Sequence, residues 1–322
     1  MAMDRTASLT PELKQTYDRI LLSTAETDTV FMKYGVKKPI PARGGKSVEF
    51  RRFEKFLLPT GSFILTEGSP PAVTNATIST VSVTISQYGQ YSQITDVLEV
   101  QGFDPLIAEY AQKYGLAMAE GLDIICRDEF SNATTTQYAD SATVVGTSGA
   151  GAVGSGNYLD AAELNEMKRT LRRAGARPAQ DGKFLCFIHP DNTKDLFEDP
   201  DIVDAFQYAA PRSPENPMFT GILGDWMGIR FVETNNLKVR TSYGMSGADI
   251  YEVIVIGAEA YGVTELSAMA ARTIIHPRGT GGHTDPLEQY STVGWKAALG
   301  VKILSDTFMG LIYVASSRTT AA

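Results

Sequence analysis

The chain has 322 residues and a formal net charge of −8, with 43% hydrophobic and 20% charged residues. This length allows two domains, and the acidic balance excludes a surface that attracts nucleic acid everywhere, because phosphate contacts need clustered Lys and Arg. Two cysteines, Cys126 and Cys186, exclude a disulfide framework and a cysteine zinc site. The first residues lack an apolar signal core and no apolar run approaches roughly 18 residues, so we expect neither secretion nor a membrane span.

Charge is unevenly distributed along the chain. Residues 33–55 and 168–183 are rich in Lys and Arg, whereas residues 191–204 are rich in Asp and Glu. Two interpretations stay open. These runs are solvated faces, or they are complementary patches that steer and register the association of identical copies.

Residues 1–45 have the character of an arm. Thr10 and Pro11 suit the N-cap and first position of a short helix that ends near Leu22. The basic segment after it is punctuated by Pro and Gly and has little of its own to bury. We therefore predict that it lies across another surface.

Residues 46–56 and 76–100 carry the clearest strand patterns. The second run places Ile78, Val81 and Val83 mostly at period two among Ser and Thr. Between the runs, residues 59–61 (Pro-Thr-Gly) are typical of a turn, and they are flanked by large apolar residues. A hairpin tip that exposes such residues predicts a partner surface.

Residues 104–130 carry the strongest helical pattern. Asp104 and Pro105 suit the N-cap and the first helical position, and apolar residues from Phe103 to Ile125 recur every three to four positions. At about 1.5 Å per residue this helix would be about 40 Å long, which indicates a structural backbone. Strands such as residues 184–188 follow among shorter helices, so we predict a mixed α+β fold without regular βαβ alternation.

A glycine run at residues 146–156 contains the spacing of a dinucleotide-binding fingerprint in Gly149, Gly151 and Gly154. Such a fingerprint must leave a buried strand and open a helix directly, so that phosphate meets helical N–H groups. Here the preceding residues are mostly polar and the next helix begins several residues later. We predict a surface loop.

The remaining motifs point to no chemistry. Residues 189–191 (His-Pro-Asp) match the triplet of co-chaperone J-domains, but they follow a strand, and we expect Asp191 to cap the next helix. His276 and His283 bracket a glycine-containing loop, with Asp285 as the nearest third candidate for a metal site. No nucleophile, metalloprotease or P-loop motif occurs. We predict no catalytic residue, no cofactor and no metal.

Three stretches resemble the major capsid (coat) proteins of tailed bacteriophages. Residues 65–99 resemble the return strand of the extended loop of these proteins. Residues 219–237 are similar to their Gly-rich turn and following strand, and residues 285–304 to their C-terminal core strand pair. The resemblance rests on the order and spacing of these stretches and runs from about residue 45 to 315.

The resemblance implies the tailed-phage major capsid fold, an α+β fold with four parts. They are an N-terminal arm (1–45), an extended β loop (46–95), a peripheral domain (96–158 and 271–322) with the spine helix 104–130, and an axial domain (159–270). The implied function is structural, in that copies form hexamers and pentamers that close into an icosahedral head around double-stranded DNA. The hairpin would lie over an adjacent subunit through Leu57, Leu58 and Phe63, and Arg51, Arg52 and Lys55 would face acidic groups there.

The implied partners are other copies of the chain, a portal protein and scaffolding proteins. The resemblance leaves open whether a cement protein also binds. The chain would enclose DNA without reading its sequence, would bind no membrane, and would fold and assemble in the host bacterial cytoplasm. Two other functions stay open: the shell of a bacterial nanocompartment with the same fold, and a nucleotide-binding α/β enzyme built around the glycine run.

Overall fold

The computed structural model describes residues 29–41, 45–53, 67–68, 75, 77–101, 106–139, 153–179, 181–209, 224–266, 271–280 and 287–317. These residues form a mixed α+β structure, which confirms the predicted fold class. The α-helices are α1 (Asp96–Gln101), α2 (Leu106–Phe130), α3 (Ala161–Arg173), α4 (Pro190–Glu198) and α5 (Pro200–Ala209).

The strands fall into two larger sheets and one two-stranded ribbon. They are β1 (Val36–Lys37), β2 (Ser47–Phe53), β3 (Ile78–Thr84), β4 (Ser86–Thr95), β5 (Thr136–Tyr138), β6 (Phe184–Ile188), β7 (Asp225–Trp226), β8 (Ile229–Glu233), β9 (Val239–Arg240), β10 (Ile250–Ile256), β11 (Tyr261–Glu265), β12 (Arg272–His276), β13 (Tyr290–Ile303) and β14 (Met309–Val314).

The five-stranded sheet is built around the long strand β13. On one edge of β13, β4 pairs antiparallel from Tyr290↔Thr95 to Leu299↔Ser86. On the other edge, β12 and β11 pair with successive parts of β13, and β1 extends the sheet by pairing parallel to β11. The seven-stranded sheet has the order β5-β14-β10-β6-β8-β7, with β9 beside β6 on the same edge of β10.

Gly89 of β4 and Gly294 of β13 allow the two strands to approach closely. A Cβ on Gly294 would lie 2.6 Å from the backbone oxygen of Gln90 and 2.7 Å from the Cβ of Tyr91. We expect Gly294→Ala to force the strands apart and to lower the free energy of unfolding by about 1–3 kcal/mol. Chemical denaturation of unassembled subunits measures this change.

The matched control for Gly294→Ala is Gly121→Ala in the interior of α2. A Cβ on Gly121 would meet nothing within 4 Å outside the helix's own backbone, so this change should stabilise the subunit by up to about 1 kcal/mol through helix propensity. Equal effects of the two substitutions would contradict the close β4–β13 pairing.

Helix α2 lies between the two sheets and packs through a regular apolar stripe. Tyr114, Met118, Leu122, Cys126 and Phe130 are buried at every fourth position, which keeps them on one side of the helix. They belong to one cluster with side chains of β13 and β11 from the first sheet and of β6, β10 and β14 from the second. The helix predicted for residues 104–130 therefore serves as the backbone of the subunit.

A second cluster covers the opposite face of the seven-stranded sheet. Leu164, Met167 and Leu171 of α3, Leu196 of α4 and Ile202 of α5 pack there against β6, β10 and β14. We call these three helices the helical layer. The two cysteines lie in different clusters, Cys126 in the first and Cys186 in the second. Both are free, and burial raises the pKa of each thiol, so neither is a reactive thiolate.

Part of the predicted arm is buried in the first cluster. Phe31 is completely buried, with its ring centroid 5.6 Å from that of Phe130 and 4.9 Å from that of Phe187, both in edge-on geometry. The hydroxyl of Tyr261 donates a hydrogen bond to the backbone oxygen of Phe31. Phe31 is thus part of the core of its own subunit, with Val30, Met32 and Tyr34 packed around it.

Asp123 of α2 binds the backbone of this segment through its buried carboxylate. Its Oδ2 accepts a hydrogen bond from the backbone N–H of Val30 at 2.7 Å, and the whole residue is buried. Burial raises the pKa of Asp123 to about 6, although hydrogen bonds from the backbone of residues 30–32 and from Asn236 favour the charged form.

The raised pKa of Asp123 predicts a pH dependence of stability. Between the ordinary value of 3.8 and about 6, the folded chain holds this proton and the unfolded chain has lost it. The contribution of Asp123 to stability is therefore complete below about pH 4 and decreases as the pH rises through about 6. We expect Asp123→Asn to remove this dependence, which denaturation of both proteins across this range measures. A wild-type advantage that grows with pH would contradict the prediction.

Candidate assembly interface

Strands β2 and β3 form an antiparallel ribbon that packs on the outside of the five-stranded sheet. Their register runs from Ser47↔Thr84 at the base to Phe53↔Ile78 at the far end. Side chains of β2 alternate between half-buried and exposed, as the sequence pattern predicted. The ribbon therefore has one face toward its own subunit and one face that its own subunit leaves open.

The inner face anchors the ribbon near its base. Phe50 lies over Gly262 of β11, where an added Cβ would come within 2.8 Å of the ring. Val83 is buried and lies against Gly300 of β13 in the same way. Because Gly262 and Gly300 have no side chain, Phe50 and Val83 of the ribbon can pack directly on the sheet.

Arg51 and Arg52 point to opposite faces of the ribbon. Arg52 is half-buried, and its Cζ lies 5.2 Å from the ring centroid of Phe308, a cation–π contact within one subunit. Arg51 lies on the open face and pairs with Glu49 of the same strand at 3.3 Å, with both side chains exposed. Such an exposed pair adds little stability, so the Arg51 guanidinium remains accessible to a neighbour.

The far end of the ribbon is apolar and exposed. Phe53 and Ile78 lie directly opposite each other and are 72% and 50% exposed. Facing residues on adjacent strands form one contact surface, so these two side chains present a joint apolar patch. The other predicted interface residues, Lys55, Leu57, Leu58 and Phe63, lie outside the described residues.

A second exposed apolar surface lies on helix α1, and sequence reasoning missed it. The strand pattern was expected to continue to residue 100, but β4 ends at Thr95 and α1 begins at Asp96. As a result Val97, Leu98 and Val100 are exposed on a short helix. Glu99 of this helix forms an ion pair with Arg278 at 3.3 Å. The signal that could have revealed the change is Asp96, a residue type that favours helix starts.

The acidic run is used partly inside the subunit. Asp191 accepts a hydrogen bond from the hydroxyl of Tyr251 at 2.7 Å, and Asp195 is buried and accepts from the backbone N–H of Ser317. Asp199 accepts from the first backbone N–H of α3 at 2.6 Å. Roughly half of the run is therefore structural, which reduces the acidic surface that the sequence suggested.

The glycine run does not form a phosphate-binding helix start. Gly149 and Gly151 lie outside the described residues, and Gly154 is in a turn in which its N–H donates to Asn157 Oδ1 at 2.7 Å. Helix α3 begins only at residue 161. Two carboxylates occupy its start, because Asp160 accepts from Glu163 N at 2.8 Å and Asp199 accepts from residue 161. An anionic phosphate at this helix start would meet negative charge.

The His-Pro-Asp triplet starts helix α4, but the expected capping residue was wrong. His189 is the N-cap, and its Nδ1 accepts from the backbone N–H of Asp191 at 3.2 Å. Asp191 lies inside the first turn, and its Oδ2 accepts a hydrogen bond from the hydroxyl of Tyr251.

The histidine pair is only partly described. His276 is the exposed last residue of β12, and His283 and Asp285 lie outside the described residues. No group of three His, Cys, Asp or Glu in the described part of the chain could hold a metal ion. None of the described helices combines the length and apolar character that crossing a membrane requires.

Comparisons with known proteins agree on one family. The model of the family described as "Phage capsid protein" matches residues 78–311. The fold is similar to the capsid of Ralstonia phage GP4, with 15% identity, a TM-score of 0.68 and 92% and 93% of the two chains covered. It is also similar to the capsid asymmetric unit of cyanophage Pam1, with 17% identity, a TM-score of 0.65 and coverage of 98% and 97%.

A third solved structure of this fold is the virus-like particle from Pyrococcus furiosus, with 13% identity, a TM-score of 0.50 and coverage of 94% and 99%. A search of curated protein sequences found no match.

Proposed function

The chain belongs to the phage capsid protein family and has the structural role of a major capsid protein, and we propose that its copies form the hexamers and pentamers of an icosahedral head around double-stranded DNA. Closure into such a shell requires that each contact be repeated with the same geometry. The observation that carries the proposal is the ribbon, which is anchored at its base and presents Phe53 and Ile78 at its far end.

The ribbon supports assembly because its own subunit covers only one of its two faces. A two-stranded ribbon is marginally stable in water unless other surfaces pack against it, and the face that carries Phe53 and Ile78 is left exposed. We propose that an adjacent subunit covers Phe53 and Ile78 together with Leu57, Leu58 and Phe63. Arg51 and Lys55 would face acidic groups there. Arg52, which the sequence assigned the same role, contacts Phe308 of its own subunit.

The two sheets support a proposed division into domains. We propose that the five-stranded sheet and α2 form the peripheral domain and that the seven-stranded sheet with its helical layer forms the axial domain. The division that the sequence suggested placed residues 271–322 in the peripheral domain. Because β14 pairs with β10, our proposal assigns residues 309–314 to the axial domain.

The proposed partners follow from the role of the shell. Portal and scaffolding proteins would meet the same chain in the host cytoplasm, and packaged DNA would be enclosed without sequence-specific binding. The net charge of −8 supports weak contact with DNA, because tight non-specific binding depends on neutralising many phosphates.

Negative-stain electron microscopy of the purified protein, with light scattering on the same sample, tests the proposed function. We expect closed shells, or hexamer and pentamer rings. A uniform monomer or dimer that stays so when a scaffolding protein is added would contradict the proposal. Particles that contain a protein cargo in place of DNA would favour the shell of a bacterial nanocompartment.

A further inference from the structure

The helical layer has one acidic end and one basic end. At the first end, α3 begins next to Asp199, which connects α4 to α5, and Asp201 and Asp204 of α5 are exposed. At the other end, the last turn of α3 and the segment after it carry Arg173 and Arg177, which are also exposed. The exposed carboxylates Asp201 and Asp204 therefore lie toward the end of the helical layer where α3 begins, and Arg173 and Arg177 lie at the end where α3 stops.

The two ends are too far apart to neutralise each other within one subunit. Helix α3 has 13 residues, which at about 1.5 Å per residue separates its ends by about 18 Å. This distance exceeds the Debye length of about 8 Å at physiological ionic strength. The charge difference between the ends is thus available for interaction with another molecule.

Contacts within the subunit leave four of these charges available. In the described part of this region, the charged pairs of the helices are Arg169 with Glu166, Lys194 with Glu198 and His189 with Asp191. They do not include Arg173, Arg177, Asp201 or Asp204.

The helix dipole explains only part of the pattern. It favours Arg173 in the last turn of α3 and Asp201 in the first turn of α5. The dipole effect is confined to the first and last turns of a helix. It therefore gives no reason for Arg177, which follows α3, or for Asp204 in the second turn of α5.

A ring of identical subunits needs two different surfaces that fit each other. In a cyclic ring each copy contacts the next head to tail, so one patch must be complementary to the other. We propose that the acidic end of the helical layer, Asp201 and Asp204, contacts the basic end, Arg173 and Arg177, of the next copy in the capsomer. This inference rests on the proposed function and names the charged contact that sets the register of the ring. Complementary charge acts mainly on encounter rate and on rejection of wrong registers.

Charge reversal tests the contact. Two double variants, Asp201→Lys with Asp204→Lys and Arg173→Glu with Arg177→Glu, place like charges against each other. We expect each to lose more than about tenfold in capsomers, measured by native mass spectrometry at low ionic strength. The changed side chains are exposed, so the subunits should stay folded and melt only slightly below wild type, by the loss of the favourable charges at the ends of α3 and α5. The variant that combines all four substitutions keeps the wild-type net charge and should restore rings and shells.

A mixture of the two double variants gives a sharper result. One variant is basic at both ends and the other is acidic at both ends, so they can only alternate around a ring. Alternation fits a hexamer and cannot fit a pentamer, so we expect hexamers, with tubes or flat sheets in place of closed shells. Double variants that assemble like wild type, or a four-fold variant no better than the doubles, would overturn the contact. A wild-type protein that forms no rings would overturn the proposed function as well.

Discussion

Replacing Phe31 by Ala is expected to lower the free energy of unfolding by about 3–5 kcal/mol, because it removes a completely buried aromatic ring and leaves a cavity. The ring fills the space between Phe130 of α2 and Phe187 of β6 and so joins the helix to the seven-stranded sheet. Residue 31 also precedes the ribbon in the chain. Loss of the buried ring should therefore loosen the segment that leads into β2. Equilibrium denaturation of unassembled subunits measures the change.

The matched control for Phe31→Ala is Phe53→Ala. Phe53 is the same residue type but is 72% exposed, so its truncation should change the stability of the unassembled subunit by no more than about 0.5 kcal/mol. If both substitutions had equally small effects, Phe31 could not be part of the core, and the arm would have to be assigned to another surface.

Replacing both Phe53 and Ile78 by Asp is expected to abolish shells while the subunit stays folded. Fully burying one large apolar side chain contributes about 1.5–3 kcal/mol, and these two side chains are 72% and 50% exposed, so each ribbon contact would lose about 2–4 kcal/mol. Two carboxylates at the same place would also have to be desolvated or would keep the partner away. Because every subunit repeats this contact, the loss is multiplied over the shell. Particle counts by electron microscopy, with light scattering for the residual species, measure the effect.

The control for this double variant keeps the apolar surface. Phe53→Tyr with Ile78→Val conserves most of the buried area and adds no charge, so we expect shells at close to wild-type yield. The control variant should melt at nearly the same temperature as wild type before assembly, because the two positions are exposed in the subunit. The Asp variant places two carboxylates directly opposite each other and should melt slightly lower, with the subunit still folded. Normal shells from the Asp variant would show that the far end of the ribbon meets no neighbour.

The sequence predicted those parts of the fold that depend on local patterns. The apolar period over residues 104–130 predicted α2, and the apolar run at residues 184–188 predicted β6 and its burial. The alternation in residues 46–56 predicted the strand β2. In each case the side chains of one short segment decide its conformation.

Long-range pairing and packing could not be predicted in this way. The pairing of β4 with β13 joins segments about two hundred positions apart, and only Gly89 and Gly294 mark the close approach. Phe31 stands in a short apolar run with Val30 and Met32, but nothing in the local pattern tells that its ring lies between α2 and β6. The sequence also left open whether the charged runs within residues 168–204 are solvated faces or complementary patches. That choice depends on which carboxylates accept hydrogen bonds within the subunit, and only the structure shows this.

Strand β14 lies between β5 and β10 inside the seven-stranded sheet, and this position bears on when the subunit can fold during protein synthesis. A ribosome makes residues 309–314 after it has made every other strand of that sheet. Until then the exposed edge of β10 has no β14 to pair with, and the core around α2 lacks Leu311 and Tyr313. We therefore expect nascent chains on one polysome to remain unable to join each other until residues 309–314 have emerged from the ribosome and paired with β10.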